Sequence, residues 1–340
     1  MEKKTYNVAI DAMRIIAILA VIAIHTTTRI LEASNFNLQG YSLSLFINQA
    51  SRFAVPLFFM ISGFVLELNY SYNQSYLSYL QKRLAKIFLP YLFWSAIYYF
   101  FVYTKHTIPF STTLLYGAAS YQLYFIPTLI IFYILFPLIH KSYRFIANKW
   151  ILIILGLVQL FLLYQEYYVE PLPYYYPISI ALLNFYIFIL GVVVSRNLSF
   201  LQKIGKWKIP ITIFTGALAF VVFFEGKLLY LKTHNYLFFY SQWRPSVFIY
   251  SLILAGLMYI IFNKNNLNTA FVKNLSSLSF FVFFIHVIVL ETFWSYLGRG
   301  IFSKTPEILF NLLFFLCVIS ASYAIAYLAH KIPYLSKLSG

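Results

Sequence analysis

The sequence predicts an all-α, polytopic integral membrane protein, and three observations support this fold class. Of the 340 residues, 61% are hydrophobic and only 10% are charged. Apolar stretches of about 20 residues, the length that crosses a bilayer as a helix, recur along the whole chain. The basic residues, which give a net charge of +16, are concentrated in alternate loops. The positive-inside rule explains this distribution, so we predict that the chain lies in a lipid bilayer with most of these charges in cytoplasmic loops, and that no nucleic acid is bound.

Ten transmembrane helices are predicted, with no long polar or low-complexity segment between them, so we expect one domain over residues 1–340. The predicted spans are 8–30, 47–68, 86–104, 121–139, 150–165, 178–195, 209–224, 245–262, 277–297 and 308–329. With the N-terminus placed inside, 16 Lys and Arg fall in inner segments, among them Lys3, Lys4 and Lys337, and eight fall in outer ones. This bias predicts that both termini are cytoplasmic.

The first span carries ionisable residues on one face. Every residue from Ile15 to Ile24 is Ile, Ala, Leu or Val, yet Asp11 and Arg14 precede this run and His25 follows it. Ionisable groups inside a bilayer cost at least about 2.5 kcal/mol each, so they are usually functional or paired. The eleven residues from Arg14 to His25 place both on one helix face, about 16 Å apart along the axis. Asp11 can pair with Arg14 three residues later. We do not expect a cleaved signal peptide to carry such a face.

The second span combines a basic residue with helix-breaking positions. Arg52 lies at its outer end, where it either extends to the membrane surface or binds an anion or orients a hydroxyl group. Pro56 and the pair Ser62–Gly63 are expected to interrupt the helix, because Pro removes a backbone hydrogen bond and Gly permits a kink or a close helix contact. Ordinary helix packing explains Pro56 equally well, and it explains Gly63 better.

Other candidate positions lie further along the chain. Lys82, Arg83 and Lys86 form a basic cluster that leads into the third span, either as positive-inside charge or as a contact for the phosphates of a nucleotide-like substrate. Tyr124 belongs to an aromatic segment that either lines a pocket or lies in the interfacial aromatic belt. His286, near the middle of the ninth span, is either a buried structural histidine or a site residue.

The chemistry available to this chain centres on the first helix. The sequence contains no phosphate-binding Gly-rich loop and no Gly-x-Ser-x-Gly motif. Its single cysteine allows no intrachain disulfide, and it has no zinc-ligand spacing, so we predict no metal site. A neutral His25 can act as a general base towards a hydroxyl group, and Arg14 can hold a phosphate or a carbonyl oxygen. Hydroxyls of Thr26, Thr27 and Thr28 follow His25. A proton-coupled transporter could use the same residues. We assign no role to the other histidines, His106, His140, His234 and His330.

Three segments together resemble acyltransferase family 3, a family of multi-pass membrane proteins. They are Asp11-x-x-Arg14 with His25 eleven residues after Arg14, the run Arg52-x-x-Val55-Pro56-Leu57-Phe58-Phe59-x-x-Ser62-Gly63, and the late Ser279 and His286. Within the family, the segments around His25 and Arg52 most resemble the branch that includes the enterobacterial common antigen O-acetyltransferase and the staphylococcal poly-N-acetylglucosamine O-acyltransferase. The resemblance covers the chain in length and helix count, and its most specific part is the first 65 residues.

The resemblance implies transfer of an acyl group, usually acetyl from cytosolic acetyl-CoA, to a hydroxyl of a cell-surface carbohydrate or lipid-linked glycan, in the inner membrane of a bacterium. It implies that His25 is the catalytic residue and that Arg14 and Asp11 support either His25 or the bound donor. It also implies roles around the site for Arg52, Ser62, Gly63 and His286. Family members often have a His and a Trp where this chain has Gln122 and Tyr124, so no role carries over to that pair. Because the chain ends soon after the tenth predicted helix, we expect no fused soluble esterase-like domain, and the membrane domain or a partner would complete the transfer.

We therefore predict a membrane O-acyltransferase. The phosphates of coenzyme A would meet Arg14, and Arg83 or Lys86, at the cytoplasmic face, and the pantetheine arm would run along the first helix. His25 would remove the proton of the sugar hydroxyl, or form a transient acyl-histidine. Arg52 would stabilise the oxyanion or position the acceptor. The alternative hypothesis is a transporter or flippase of polysaccharide or lipid-linked intermediates, which would consume no thioester.

Overall fold

Helices form the regular secondary structure of this chain in a computed structural model, which describes residues 7–71, 74–103, 105, 107–173, 176–264 and 267–336. No β-strand occurs in these ranges. The first nine helices are α1 (Val8–Ala33), α2 (Ser42–Ala50), α3 (Ala54–Leu68), α4 (Tyr76–Ile97), α5 (Phe110–Tyr116), α6 (Phe125–Lys141), α7 (Tyr143–Ile146), α8 (Lys149–Tyr164) and α9 (Tyr176–Ser195). They are followed by α10 (Leu198–Ile204), α11 (Lys208–Thr233), α12 (Leu237–Tyr240), α13 (Pro245–Lys264), α14 (Thr269–Phe293), α15 (Arg299–Phe302), α16 (Glu307–His330) and α17 (Pro333–Ser336). Single π-helical turns continue three of them, at Tyr98–Val102, Gln165–Val169 and Trp294–Gly298.

The predicted all-α membrane architecture is confirmed. Within the described residues, 9 helical segments are long and apolar enough to cross a bilayer. The remaining predicted span, 121–139, corresponds to α6, an apolar helix of 17 residues. The side of the membrane on which each terminus lies stays a prediction, and Lys3, Lys4 and Lys337 lie outside the described residues.

The third span begins earlier than predicted. The side chain of Ser75 accepts a hydrogen bond from the backbone N–H of Ser78 at 3.2 Å and caps α4, which therefore starts at Tyr76 and not at residue 86. The expectation that Lys82 and Arg83 lead into the helix from a loop was wrong, because both lie inside α4, as does Lys86. Lys and Arg are good helix formers, so a basic cluster does not mark a helix boundary by itself.

Two other boundaries also differ from the prediction. The second span is broken at residues 51–53 and not at Ser62–Gly63, and Pro56 lies in the first turn of α3, where a helix does not need its N–H. The seventh span continues past residue 224 to Thr233, where His234 adopts a left-handed conformation (φ 53°) and ends the helix. Together with α12, this makes most of the predicted outer loop at 225–244 helical.

The helices group into two compact units, each with its own packing. The first contains Phe58–Leu198 and the C-terminal segment from Ala329, and the second contains Asn7–Leu57 and Ser199–Leu328. The prediction of a single domain is not tested by this division and stays a prediction.

The first unit is built around a close crossing of α3 and α9. A Cβ atom added to Gly63 would overlap the carbonyl oxygen of Phe188, and one added to Gly191 would overlap the carbonyl oxygen of Met60. Small residues at helix crossings let two backbones touch in this way. Helix α6 packs on α9, where the rings of Phe132 and Phe188 stack with centroids 4.4 Å apart. Of the two roles predicted for Gly63, the structure therefore supports close helix approach and not a kink.

The second unit is built around α1. This helix packs against α2, α13 and α14, while α11 packs against α2 and α13. Most residues of α1 are buried, as expected for a helix that is apolar on all sides between its charged positions. The packing of α1 against α14 brings the ionisable face of the first helix against a second helix.

Candidate functional site

Helices α1 and α14 run side by side in the same direction, and two polar contacts join them. Near their N-terminal ends, Arg14 contacts Ser276, and further along, the ring of His25 stacks on the ring of His286. The two contacts are separated by eleven residues on α1 and ten residues on α14. At 1.5 Å per residue, the separation along the helix pair is about 16 Å.

The first contact is a closed set of three hydrogen bonds. Arg14 donates through Nη1 to Asp11 Oδ1 at 2.7 Å and to Ser276 Oγ at 2.9 Å, and Ser276 Oγ donates to the same Asp11 oxygen at 2.7 Å. The predicted pairing of Asp11 with Arg14 is thus confirmed. The Arg14 side chain remains 30% exposed, and no described residue accepts a hydrogen bond from its Nε or Nη2. A fixed guanidinium with donors to spare can bind an anion.

The second contact is a pair of histidines inside the helix pair. The ring centroids of His25 and His286 are 5.4 Å apart with 26° between the ring planes. His286 is fully buried, and its Nδ1 lies 3.0 Å from the carbonyl oxygen of Val282. Because a carbonyl can only accept, Nδ1 carries the hydrogen and Nε2 is the basic nitrogen. Nε2 is buried without a hydrogen-bond partner among the described residues. An unused basic nitrogen in a buried site is a candidate acceptor for a substrate proton.

Arg52 contributes a fixed positive charge to the same site. It is within electrostatic range of His25 and only 4% exposed. One Nη group donates to the carbonyl oxygen of Tyr240 and the other to Asn48 Oδ1. Asn48 in turn donates to Thr28 Oγ1 at 2.9 Å and so connects Arg52 to α1. These two hydrogen bonds help to hold the Arg52 guanidinium in place.

Behind Arg52 lies a second layer of buried polar groups. Gln49 donates to the carbonyl oxygen of Phe239 at 2.8 Å and accepts from Arg244 Nη2 at 2.6 Å. Arg244 is fully buried and forms an ion pair with Glu225 at 3.4 Å. Buried polar groups are stable only when they are hydrogen-bonded, so this layer fixes the end of α2 against α12 and the segment around Arg244.

Five predicted site residues lie in the first unit. On α3, Ser62 donates to the carbonyl oxygen of Phe58 at 2.8 Å, and Gly63 lies at the crossing with α9. On α4, the Arg83 guanidinium lies over the ring of Tyr79, 5.9 Å from its centroid, and Lys86 is exposed. The ring of Tyr124 packs edge-on against that of Tyr176, with centroids 6.1 Å apart. The roles suggested for all five residues stay predictions.

The sequence did not point to several polar residues that the structure joins. Asn48 and Ser276 complete the two ends of the site, but an isolated Asn or Ser in an apolar run is indistinguishable from a packing residue. In the first unit, Glu67 accepts hydrogen bonds from Arg196 Nε at 2.6 Å and pairs with His140 at 2.9 Å. The signal available for this cluster was Glu67 itself, an acid within a predicted apolar span, which requires a partner.

The second unit therefore contains an arrangement that suits acyl transfer. It combines a partly exposed guanidinium, two imidazoles and a second, buried guanidinium around one helix pair. No group of three or more His, Cys, Asp or Glu in the described part of the chain could hold a metal ion. General-base catalysis with electrostatic stabilisation is the chemistry that these residues can perform.

Comparison with known proteins connects this geometry to a family. A family model described as an acyltransferase domain matches residues 7–331. A relative from Staphylococcus epidermidis named "Probable poly-beta-1,6-N-acetyl-D-glucosamine export protein" is 27% identical over 302 residues, covering 81% of this chain and 79% of the relative. A protein of the same name from Staphylococcus aureus strain MRSA252 is 26% identical over 306 residues, covering 84% of this chain and 82% of the relative. No solved structure matches this chain.

Proposed function

Because this chain belongs to acyltransferase family 3, we propose that it transfers an acetyl group from acetyl-CoA to a hydroxyl of a cell-envelope glycan in the inner membrane of a bacterium. Membrane acyl transfer to a carbohydrate is what the family supports. We further propose that the donor is acetyl-CoA, that the transferred group is acetyl and that a histidine is the catalytic base. The names of the relatives suggest a polymer of β-1,6-linked N-acetylglucosamine as the acceptor class.

The observation that carries the proposal is the spacing of the two contacts along α1 and α14. A donor phosphate at Arg14 would be about 16 Å from His25, a distance comparable with the length of an extended pantetheine arm. Asp11 and Ser276 hold the Arg14 guanidinium in position. The thioester at the end of the arm would then lie beside the histidine pair. Under the predicted topology, the phosphates remain at the cytoplasmic face while the acyl group reaches the acceptor inside the membrane.

The proposed reaction is a direct transfer with His25 as the base. His25 accepts the proton of the sugar hydroxyl while the hydroxyl oxygen attacks the thioester carbonyl carbon. The carbon–sulfur bond breaks, and His25 passes the proton to the thiolate, so the products are the O-acyl sugar and coenzyme A. Arg52 stabilises the developing oxyanion as a nearby fixed charge, because its two Nη groups already donate to Tyr240 and Asn48. A transient acyl-histidine at His25 is a second route, which would release coenzyme A before acceptor is added.

The test is thioester consumption by the purified protein. Wild type should release coenzyme A from acetyl-CoA in the presence of a β-1,6-linked N-acetylglucosamine oligosaccharide. His25→Ala should lose at least about 100-fold of this rate, the usual contribution of a general base. His330→Ala, which removes an exposed histidine at the end of α16, is the matched control and should turn over like wild type. Normal turnover by His25→Ala would contradict the assignment of His25 as the catalytic base.

A second candidate function is export of a polysaccharide or lipid-linked intermediate. The word "export" in the names of the relatives favours it. A transporter would move the glycan without consuming a thioester, so a wild-type protein that transports the oligosaccharide and leaves acetyl-CoA intact would favour export over acyl transfer.

A further inference from the structure

An open cavity lies at the C-terminal end of α1 in the second unit. It has a volume of about 360 Å³ and is lined by Arg29, Glu32, Ala33, Trp294, Arg299 and Phe302. Small-molecule sites usually measure about 300–1,000 Å³, so this cavity has room for a single small group and not for a long chain segment. We refer to it as the Arg29 cavity.

The Arg29 cavity is one helical turn from the histidine pair. His25, Arg29 and Glu32 are spaced four and three residues apart and lie on one face of α1. The rise from His25 to Arg29 is about 6 Å along the axis. On the partner helix, Glu291 follows His286 and reaches Arg29 Nη2 at 3.4 Å. A molecule in the cavity would therefore lie next to the imidazoles on the side away from Arg14.

Arg29 is held in place while its hydrogen-bond donors remain unused. Its guanidinium lies over the ring of Trp294, 5.2 Å from the centroid. The ion pairs to Glu32 and Glu291 measure 3.5 and 3.4 Å, longer than the usual range of about 2.7–3.2 Å for an N–H···O hydrogen bond. No described residue accepts a hydrogen bond from Arg29, and its Nε is buried. Buried donors left without acceptors cost free energy, so a ligand that accepts from them would be favoured.

The charges around the Arg29 cavity balance each other. Arg29 and Arg299 supply two positive charges, and Glu32 and Glu291 supply two negative ones. A phosphate or other anion would be repelled by the two carboxylates. A molecule with neighbouring hydroxyls fits better, because its oxygens accept from guanidinium groups and its O–H groups donate to carboxylates. The half-buried ring of Phe302 adds an apolar wall for the C–H face of a sugar ring.

We propose that the Arg29 cavity binds one uncharged, hydroxyl-rich sugar residue of the acceptor glycan and holds its hydroxyl towards His25. This inference rests on the proposed acyltransferase function and identifies where the acceptor binds. Arg29 and Arg299 are the residues that bind the sugar, and Glu32 orients it while accepting from the Tyr240 hydroxyl at 3.2 Å.

The test measures sugar binding separately from catalysis. An uncharged β-1,6-linked N-acetylglucosamine pentasaccharide is titrated into the purified full-length protein without any donor, and acetyl-CoA is titrated in a parallel experiment. Arg29→Gln and Arg299→Gln should each weaken pentasaccharide binding by at least about tenfold, because each removes charge-assisted hydrogen bonds. The affinity for acetyl-CoA should not change. Lys304→Gln removes an exposed cation nearby that does not line the cavity, and should bind the pentasaccharide like wild type.

The outcomes separate this inference from the proposed function. Arg299 is exposed, so Arg299→Gln should fold normally even if Arg29→Gln does not. Wild-type pentasaccharide affinity in Arg299→Gln, or no pentasaccharide binding by a wild-type protein that turns over acetyl-CoA, would overturn the Arg29 cavity as the acceptor site. Failure to bind or consume acetyl-CoA, with pentasaccharide binding that still depends on Arg299, would instead refute the acyltransferase proposal.

Discussion

Asp11, Arg14 and Ser276 illustrate how single residues prepare the site. A bidentate ion pair with Asp11 would occupy two nitrogens of Arg14, but here a single carboxylate oxygen accepts from one Nη group and from the Ser276 hydroxyl. The guanidinium is thereby fixed through one Nη group while the rest of it remains accessible. This arrangement leaves more N–H donors for a phosphate than a bidentate ion pair would.

We predict that Arg14 determines the affinity of the protein for acetyl-CoA. Arg14→Ala should raise the KM for acetyl-CoA by about tenfold or more, the effect of losing a charge-assisted hydrogen bond, and should leave the acceptor KM near its wild-type value. Lys203→Ala, which removes another predicted inner cation that is exposed on α10, is the control. Steady-state kinetics with each substrate varied in turn give both constants. An unchanged donor KM in Arg14→Ala would remove Arg14 from the donor site.

Four of the site residues predicted from the sequence share one property: they are charged or titratable beside or within an apolar run. Asp11, Arg14, His25 and Arg52 are each costly in a membrane, so their presence alone marks them. Ser276 and Asn48 are neutral and carry little such cost, and their contacts lie 262 and about 20 positions away in the sequence. The stacking of His25 on His286 was equally out of reach, because a sequence does not say which helices pack together.

At the scale of elements, α3 and α9 cross with their backbones in direct contact. The backbones meet at Gly63 and Gly191, where any Cβ would overlap a carbonyl of the other helix. We predict that Gly63→Ala forces the helices apart and destabilises the protein by about 1–3 kcal/mol or more, as overpacking does in tight cores. Gly216→Ala is the matched control, since an added Cβ on α11 meets no atom within 4 Å. Thermal denaturation in detergent should show a lower midpoint for Gly63→Ala than for Gly216→Ala, and equal midpoints would contradict this crossing.

The hydropathy of the sequence predicted which segments are helical, but it did not predict where several of these helices begin or end. The apolar runs identified nine spans and the shorter α6, because only a helix satisfies its backbone inside lipid. The start of α4 depends on a cap by Ser75, and the end of α11 depends on one left-handed residue, His234. Mean hydropathy does not depend on such local hydrogen bonds and backbone angles, so it cannot predict these helix ends.

For the whole molecule, the distribution of basic residues predicts the orientation in the membrane. In a Cys317→Ser background, Arg144→Cys should lie inside and Lys304→Cys outside, and both positions are exposed. A membrane-impermeant maleimide should therefore label Lys304→Cys in intact cells and label Arg144→Cys only after lysis. The reverse labelling pattern would invert the topology and place Arg14 on the side without acetyl-CoA.

We propose above all that an acetyl group passes from the donor to a sugar hydroxyl at the histidine pair. The most direct measurement is mass spectrometry of the oligosaccharide after incubation with ¹³C-labelled acetyl-CoA and the wild-type protein or His25→Ala. We expect an alkali-labile labelled acetyl ester on the wild-type product and none above background with His25→Ala. An unmodified oligosaccharide with the wild-type protein, under conditions where it binds both substrates, would contradict it.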